Sequence, residues 1–424
     1  MLRIELLLSL WLAIACSAAA TPVVAAAPPP DFTPNPSIGG GGSKYKDSSH
    51  FRVYNAVNDS VANVLLNTLE SAYSCFVGSQ GWRSPGLSFK SENDDGPFYK
   101  TNVYDVASLP GAAANTGTDM SKGFSFLNVV TQYMSTPAVF VHEFGHAMTY
   151  AERYWVDQGR TGAWWETVAN YVADTFITSP LCADARSKYN QPTGDTLIEL
   201  KKVIGDSFQV IVDGTKDSGN YYQAWPFFTY LINNPDNYTG LGRTVFPDVW
   251  RKYKRNSNET PLHVLERLAS PTKIQTVVGR YWARMAYVDI GHTKAQALFQ
   301  QTKKTINYAN LDSLGSGKYR VKSARQPRYM GANIVPLKGS GEISTVVTAG
   351  SPFKATLVVR SSSGAVRYTE LVNGAGKVTV GSGEEASLVV VNTPDALLLF
   401  DPFSLSSEAN KGLDYQVALT GASI

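Results

Sequence analysis

The spacing of apolar positions changes twice along this chain, and each change separates one kind of structure from the next. Residues 50–56 (HFRVYNA) read as a strand, 60–77 as an amphipathic helix, and 99–109 (YKTNVYDVASL) and 124–134 (FSFLNVVTQYM) as two more strands. This first lobe is mixed α and β. After Thr136 the period becomes helical: TPAVFVHEFGHAMTYAERY offers Thr136 as a cap, Pro137 at the first helical position and apolar residues at helical spacing behind them. Helix-period segments then follow one another to about residue 307, namely AWWETVANYVADTFI, NYYQAWPFFTYLI, FPDVWRKYKR, PLHVLERLA, KIQTVVGRYWARMAYV and KAQALFQQTKKTI, separated by Gly, Pro and Asn. From about Tyr319 the pattern becomes short β-prone runs (STVVTAG, FKATLVVRS, KVTVGSG, ASLVVVNT, YQVALTG) divided by Gly, Ser and Asn turns. The fold class expected is α+β: a mixed sheet lobe and a helical lobe over residues 44–314, then a separate all-β sandwich over 315–424.

The N-terminus changes the picture of where the chain works. Residues 1–20 carry Arg3, an apolar run over 6–16 and small residues at Ala18 and Ala20, the pattern of a signal peptide, so a secreted, extracellular protein is expected. The apolar run is short for a membrane span, and the residues before Cys16 make a poor lipidation site, so no membrane anchor is expected. Residues 21–43 include PPPDFTPNPSIGGGGS, which offers nothing to bury and reads as a linker. In an oxidising compartment Cys75 and Cys182 are expected to form a disulfide, the plainer alternative being two separate buried thiols. Sequons at Asn58, Asn237 and Asn258 would be glycosylated in a eukaryotic host. With 17% charged residues, 43% hydrophobic residues and a net charge of +3, nothing favours nucleic acid, an anionic membrane or a disordered tail as the business of the chain.

Chemistry concentrates in one place. His142-Glu143-Phe144-Gly145-His146 is an H-E-x-x-H sequence on a predicted helix, where residues four apart share a face and two imidazoles can hold one metal. The chain has only 5 histidines, so two at this spacing with a glutamate between them are poorly explained by coincidence. Catalytic zinc takes three protein ligands and leaves a position for water. Glu166, in AWWETVANYVAD on the next predicted helix, is the preferred third ligand; Glu152 would point about 240° away from His146 on an unbroken helix. A carboxylate beside the site can take a proton from the attacking water, which makes Glu143 the expected general base.

His142, Glu143 and His146 with Glu166 on a following helix resemble the gluzincins, the zinc peptidases related to thermolysin. The close resemblance covers about 35 residues, although an α/β lobe before the motif and helices after it are also similar. The Trp164-Trp165-Glu166 run and the terminal β region look more like a family of secreted proteins of unassigned function. The resemblance implies a zincin-like metallopeptidase domain holding Zn2+ on His142, His146 and Glu166, with Glu143 binding the attacking water. It also implies a donor for the developing oxyanion further along the helical lobe, for which Tyr221, Tyr222 and His263 are the candidates; tyrosines at helical spacing are more often plain packing residues. In thermolysin-like enzymes an aspartate four residues after the glutamate supports a ligating histidine; here that position is Asn170, with Asp174 one turn on as a substitute. Trp164 and Trp165 suit a substrate cleft or the core equally, and His50 and His292 suit structural or surface positions.

The function expected is zinc-dependent hydrolysis of a protein, peptide or glycoprotein substrate by a monomer. The alternatives are a secreted glycan- or cell-wall-binding protein with a non-catalytic zinc site, or a zinc hydrolase acting on glycopeptide or glycan. The β-sandwich would be the part that binds carbohydrate.

Overall fold

The computed structural model describes residues 28–152, 159–215 and 218–424. The signal peptide, Cys16 and the end of the TPAVFVHEFGHAMTYAERY stretch lie outside them. Among the described residues no helix is long and apolar enough to cross a membrane.

The first lobe is a five-stranded sheet. Its elements are β1 (Tyr45–Asp47), β2 (Phe51–Tyr54), helix α1 (Asp59–Tyr73), β3 (Thr101–Val106), β4 (Ala114–Asp119) and β5 (Phe124–Val130), with strand order β1-β2-β3-β5-β4. The central strands β2, β3 and β5 run parallel, and β1 and β4 close the two edges antiparallel. Helix α1 starts at Asn58, whose side chain accepts from the Val61 amide, and runs on into a wide turn over Ser74–Ser79. Strands β1 and β4 were not expected, because YKD and ANTGTD lack the apolar alternation that marks a strand.

Residues 28–43 are not the free linker that their composition suggests. Phe32 and Ile38 are buried, Thr33 bridges to Tyr99, and Asn102 and Tyr104 both donate to the Ile38 carbonyl. Asn102 and Tyr104 lie two apart on β3 and so share one face of the sheet. The Pro/Gly segment covers that face, and two buried apolar side chains with backbone hydrogen bonds are enough to hold it there.

The helical lobe follows. Its helices are α2 (Pro137–Ala151), α3 (Gly162–Thr178), α4 (Ala183–Lys188), α5 (Leu200–Val203), α6 (Pro226–Asn233), α7 (Val245–Arg251), α8 (Pro261–Leu268), α9 (Ile274–Met285) and α10 (Thr293–Thr302). Helix α2 packs back on the sheet, where Phe144 meets Phe51 edge-on with ring centroids 5.5 Å apart. The expected disulfide is present: Cys75, beyond α1, joins Cys182, in the turn after α3, across 107 positions. The segment NYYQAWPFFTYLI is not one helix. Asn220–Tyr222 form a single tight turn after Gly219 in a left-handed conformation, and α6 begins at Pro226, which cannot donate into a preceding helical turn.

The remaining strands, β6 (Leu311–Gly315), β7 (Lys318–Val321), β8 (Ala332–Leu337), β9 (Gly341–Ala349), β10 (Phe353–Arg360), β11 (Val366–Glu370), β12 (Ala375–Val380), β13 (Glu385–Asn392) and β14 (Tyr415–Thr420), form two antiparallel sheets of order β11-β10-β13-β8 and β12-β9-β14-β7-β6. The region starts at Leu311, a few residues earlier than expected. Side chains of both sheets, among them Leu357, Leu388, Val390, Val347 and Val417, share one core. The expectation of a separate unit needs correction: Val389 and Val391 on the other face of β13, with Val358 and Ile334, belong to the core of the helical lobe. The continuous apolar run in ASLVVVNT has this physical meaning, a strand buried on both faces.

Candidate metal centre

Helix α2 presents His142 and His146 one turn apart, and α3 presents Glu166 one turn from its start. The two helices touch closely: a Cβ on Gly145 would lie 2.9 Å from the Ala169 Cα, so the glycine inside the motif lets α3 come near enough for Glu166 to reach both histidines. Oε2 of Glu166 lies 3.2 Å from Nε2 of His142 and 3.3 Å from Nε2 of His146, and the two Nε2 atoms are 3.1 Å apart. Among the described residues these three form the one group of His, Cys, Asp or Glu side chains brought together as a metal site would require.

Hydrogen bonding fixes one ring nitrogen of His142. Asn170 lies between its Nδ1, at 2.8 Å, and the carbonyl of Tyr222, at 2.5 Å. A carbonyl can only accept, so the amide nitrogen faces Tyr222, the amide oxygen faces His142, and Nδ1 carries the proton. Nε2 of His142 is therefore the ring nitrogen turned into the cluster. Oε2 of Glu166 is buried there without a hydrogen-bond partner. Two imidazole nitrogens and a buried carboxylate oxygen converging on one point are a donor set that could hold a cation. Burial opposes the charge on His142 and on Glu166, but the pair prevails: the carboxylate beside it holds His142 above its ordinary range, and the two imidazoles hold Glu166 below its own. Asp174 does not substitute for Asn170. It lies a full turn too far along α3, accepts from Nε2 of His292 at 2.6 Å, and also serves Thr178, Thr196 and the Leu197 amide.

Glu143 is buried beside the cluster with its Oε2 2.7 Å from the hydroxyl of Thr116 on β4. The open cleft above these groups encloses about 520 Å³ and is lined by Thr116, His142, Glu143, His146, Glu166 and a rim of Tyr150, Trp165, Tyr221, Tyr222 and Phe403. Tyr221 and Tyr222 sit on the tight turn, which hangs from α3 by hydrogen bonds from Thr167 to the Tyr221 carbonyl and from Asn170 to the Tyr222 carbonyl. Tyr222 is 40% exposed; burial of its hydroxyl and the charges of Glu166 and Glu143 hold its pKa well above that of an ordinary phenol, so it stays a proton donor.

The other candidates fall elsewhere. Trp164 is fully buried against Phe228, whereas Trp165 reaches the cleft and meets Tyr150 edge-on. His263 bonds Thr260 at the start of α8 and is absent from the cleft wall. Glu152 ends α2, buried, and accepts from the Arg83 amide. His50 pairs with Glu70. Sequence reading missed Thr116, Tyr150 and Phe403. Thr116 sits on a strand with no hydrophobic signal, and Phe403 comes from more than two hundred positions away.

No curated protein matches the chain. One protein family does, over residues 49–424, a span that takes in the sheet lobe from β2 onward, helices α2 and α3 and both terminal sheets. The chain thus belongs to the family described as DUF6055, a family of unknown function.

Proposed function

We propose that this protein is a secreted zinc-dependent peptide hydrolase, with a zincin-like domain holding Zn2+ on His142, His146 and Glu166 and a β-sandwich packed behind it. The observation that carries the reading is the orphaned Oε2 of Glu166 converging with two Nε2 atoms, with the Glu143 carboxylate on the floor of the same open cleft. The α/β lobe ahead of the motif and the helices after it support the zincin-like assignment, and the Cys75–Cys182 bridge supports export to an oxidising compartment. Zinc, when bound, would supply the Lewis acidity that makes water nucleophilic near neutral pH. Glu143 takes the proton from the attacking water and returns it to the leaving amine. Thr116 holds that carboxylate in place. Tyr222 donates its phenolic hydrogen to the oxyanion that develops on the substrate carbonyl, and Asn170 keeps the turn carrying it at a fixed distance from His142.

The test is zinc content of the purified protein beside His146→Ala and Glu143→Gln, with digestion of a mixed peptide library by the same samples. Zinc in the wild type and in Glu143→Gln but not in His146→Ala is expected, with cleavage falling by about 10²- to 10⁴-fold in Glu143→Gln. Zinc without cleavage would refute the peptidase reading, and absence of zinc from every sample would refute the metal site.

A further inference from the structure

Phe403 belongs by sequence to the β region, on the connection between β13 and β14, yet it lines the cleft of the metal centre. The connection is anchored on both sides of it. Phe400 and Ala409 are buried in the core of the helical lobe, the Leu398 amide donates to the Tyr329 hydroxyl, and the Gly214 amide donates to the Pro402 carbonyl. The Phe403 amide and the Ser404 amide both bond Asp401, closing a tight turn that fixes the direction of the ring.

The ring has a seat made for it. A Cβ on Gly162 would lie 2.8 Å from its Cε2, and a Cβ on Gly214 would lie 2.8 Å from its Cδ1. Tyr221 meets it edge-on at 6.0 Å. Gly162 precedes Glu166 by four positions on α3, so the ring is seated about one helical turn from the third metal ligand, on the same helix face. Despite this support Phe403 remains 51% exposed. A phenyl ring held on several sides and left open toward a cleft is placed to meet something there. The rings of Trp165, Tyr150 and Tyr221 line the same cleft, whose polar lining is Asn115, Thr116 and the residues of the metal centre.

We infer that Phe403 is a specificity-determining residue, the wall of an apolar subsite that holds a hydrophobic side chain of the peptide substrate next to its reacting carbonyl. The inference rests on the metal site proposed above and adds that the β region completes the cleft. Loss of this wall changes which substrates fit and leaves the metal and Glu143 untouched.

Two hydroxamates separate this inference from the reading beneath it, because a hydroxamate binds an active-site zinc whether or not the protein cleaves peptides. Acetohydroxamate and 3-phenylpropanohydroxamate are titrated calorimetrically into the zinc-loaded full chain, wild type, Phe403→Ala and Phe403→Leu, with zinc content and melting temperature recorded for each. The phenyl compound is expected to bind the wild type at least about tenfold more tightly than acetohydroxamate, the scale on which apolar pockets discriminate. That preference should shrink to about threefold or less in Phe403→Ala and recover in part in Phe403→Leu, with acetohydroxamate binding equally to all three. An undiminished preference in Phe403→Ala overturns the subsite and leaves the metal centre standing. Failure of both compounds to bind the wild type overturns the metal centre, and the subsite with it.

Discussion

Helix α3 carries two histidine–carboxylate clusters of opposite character. At Glu166 the carboxylate faces His142 and His146 at the foot of an open cleft, and one of its buried oxygens has no hydrogen-bond partner. Two turns further along, about 12 Å by helix rise, Asp174 faces His292 in the interior, and there every lone pair is used. Oδ1 of Asp174 accepts from Thr196 and the Leu197 amide, Oδ2 from His292 and Thr178, and Nδ1 of His292 accepts from the Ala295 amide at the start of α10. Since Nδ1 accepts, Nε2 carries the proton given to Asp174. The pairing of imidazole and carboxylate is common to both clusters. What makes one a candidate site is unspent ligand capacity, and what makes the other a structural tie is that none is left.

The sharpest way to break this comparison is to delete each carboxylate. Asp174→Ala removes the acceptor from the buried His292 and from three part-buried donors and should cost about 3–5 kcal/mol of stability in urea unfolding, with zinc content unchanged in the folded fraction. Glu166→Ala should do the reverse: zinc is lost, and the metal-free protein loses only about 1–2 kcal/mol relative to the metal-free wild type, the worth of the carboxylate's pairing with two partly open histidines. Equal stability losses in the two metal-free proteins would erase the distinction.

A third carboxylate sharpens it. Burial pushes Glu152 up to about 7, against the pull of Arg251 and Arg83. Its folded-state pKa thus exceeds the ordinary 4.5, so the folded chain keeps a proton that the unfolded chain releases, and stability falls as pH rises from about 4.5 to about 7. The loss attributable to this group is at most about 3 kcal/mol, and Glu152→Gln should flatten that part of the profile when unfolding is compared at several pH values across the window. The smallest effect is expected at Asn170, which serves the open cluster alone. Asn170→Ala should weaken zinc binding about 10- to 100-fold in competition with a chelator, with little change in the melting temperature of the metal-free protein.

How much of this could be read from the residues depends on whether the signal was local. The α2 helix and its i, i+4 histidines were legible because one amphipathic segment contains all the information, and Glu166 was legible because a second helix followed after a short break. Strand β4 was not: ANTGTD is an edge strand whose exposed positions need no apolar residues, yet its Thr116 holds Glu143. The aromatic run 220–232 kept a helical spacing across a break at Pro226, so the turn that aims Tyr222 was hidden inside an apparent helix. Asp174 was misplaced because matching faces on a helix says nothing about distance along its axis. The Pro/Gly stretch was misjudged on composition, when two buried side chains, Phe32 and Ile38, and hydrogen bonds to its backbone hold it on the sheet.

The close crossing of α2 and α3 bears on how relatives of this chain should be compared. Written as H-E-x-x-H, the motif leaves two positions free, but position 145 abuts the backbone of 169 and is not free. A relative that places a side chain at 145 meets the Cα of 169, which no choice of residue there removes, so its helices part and the glutamate withdraws from the histidines. Loss of Gly145 would flag members of the family in which the three side chains no longer converge even where both histidines persist.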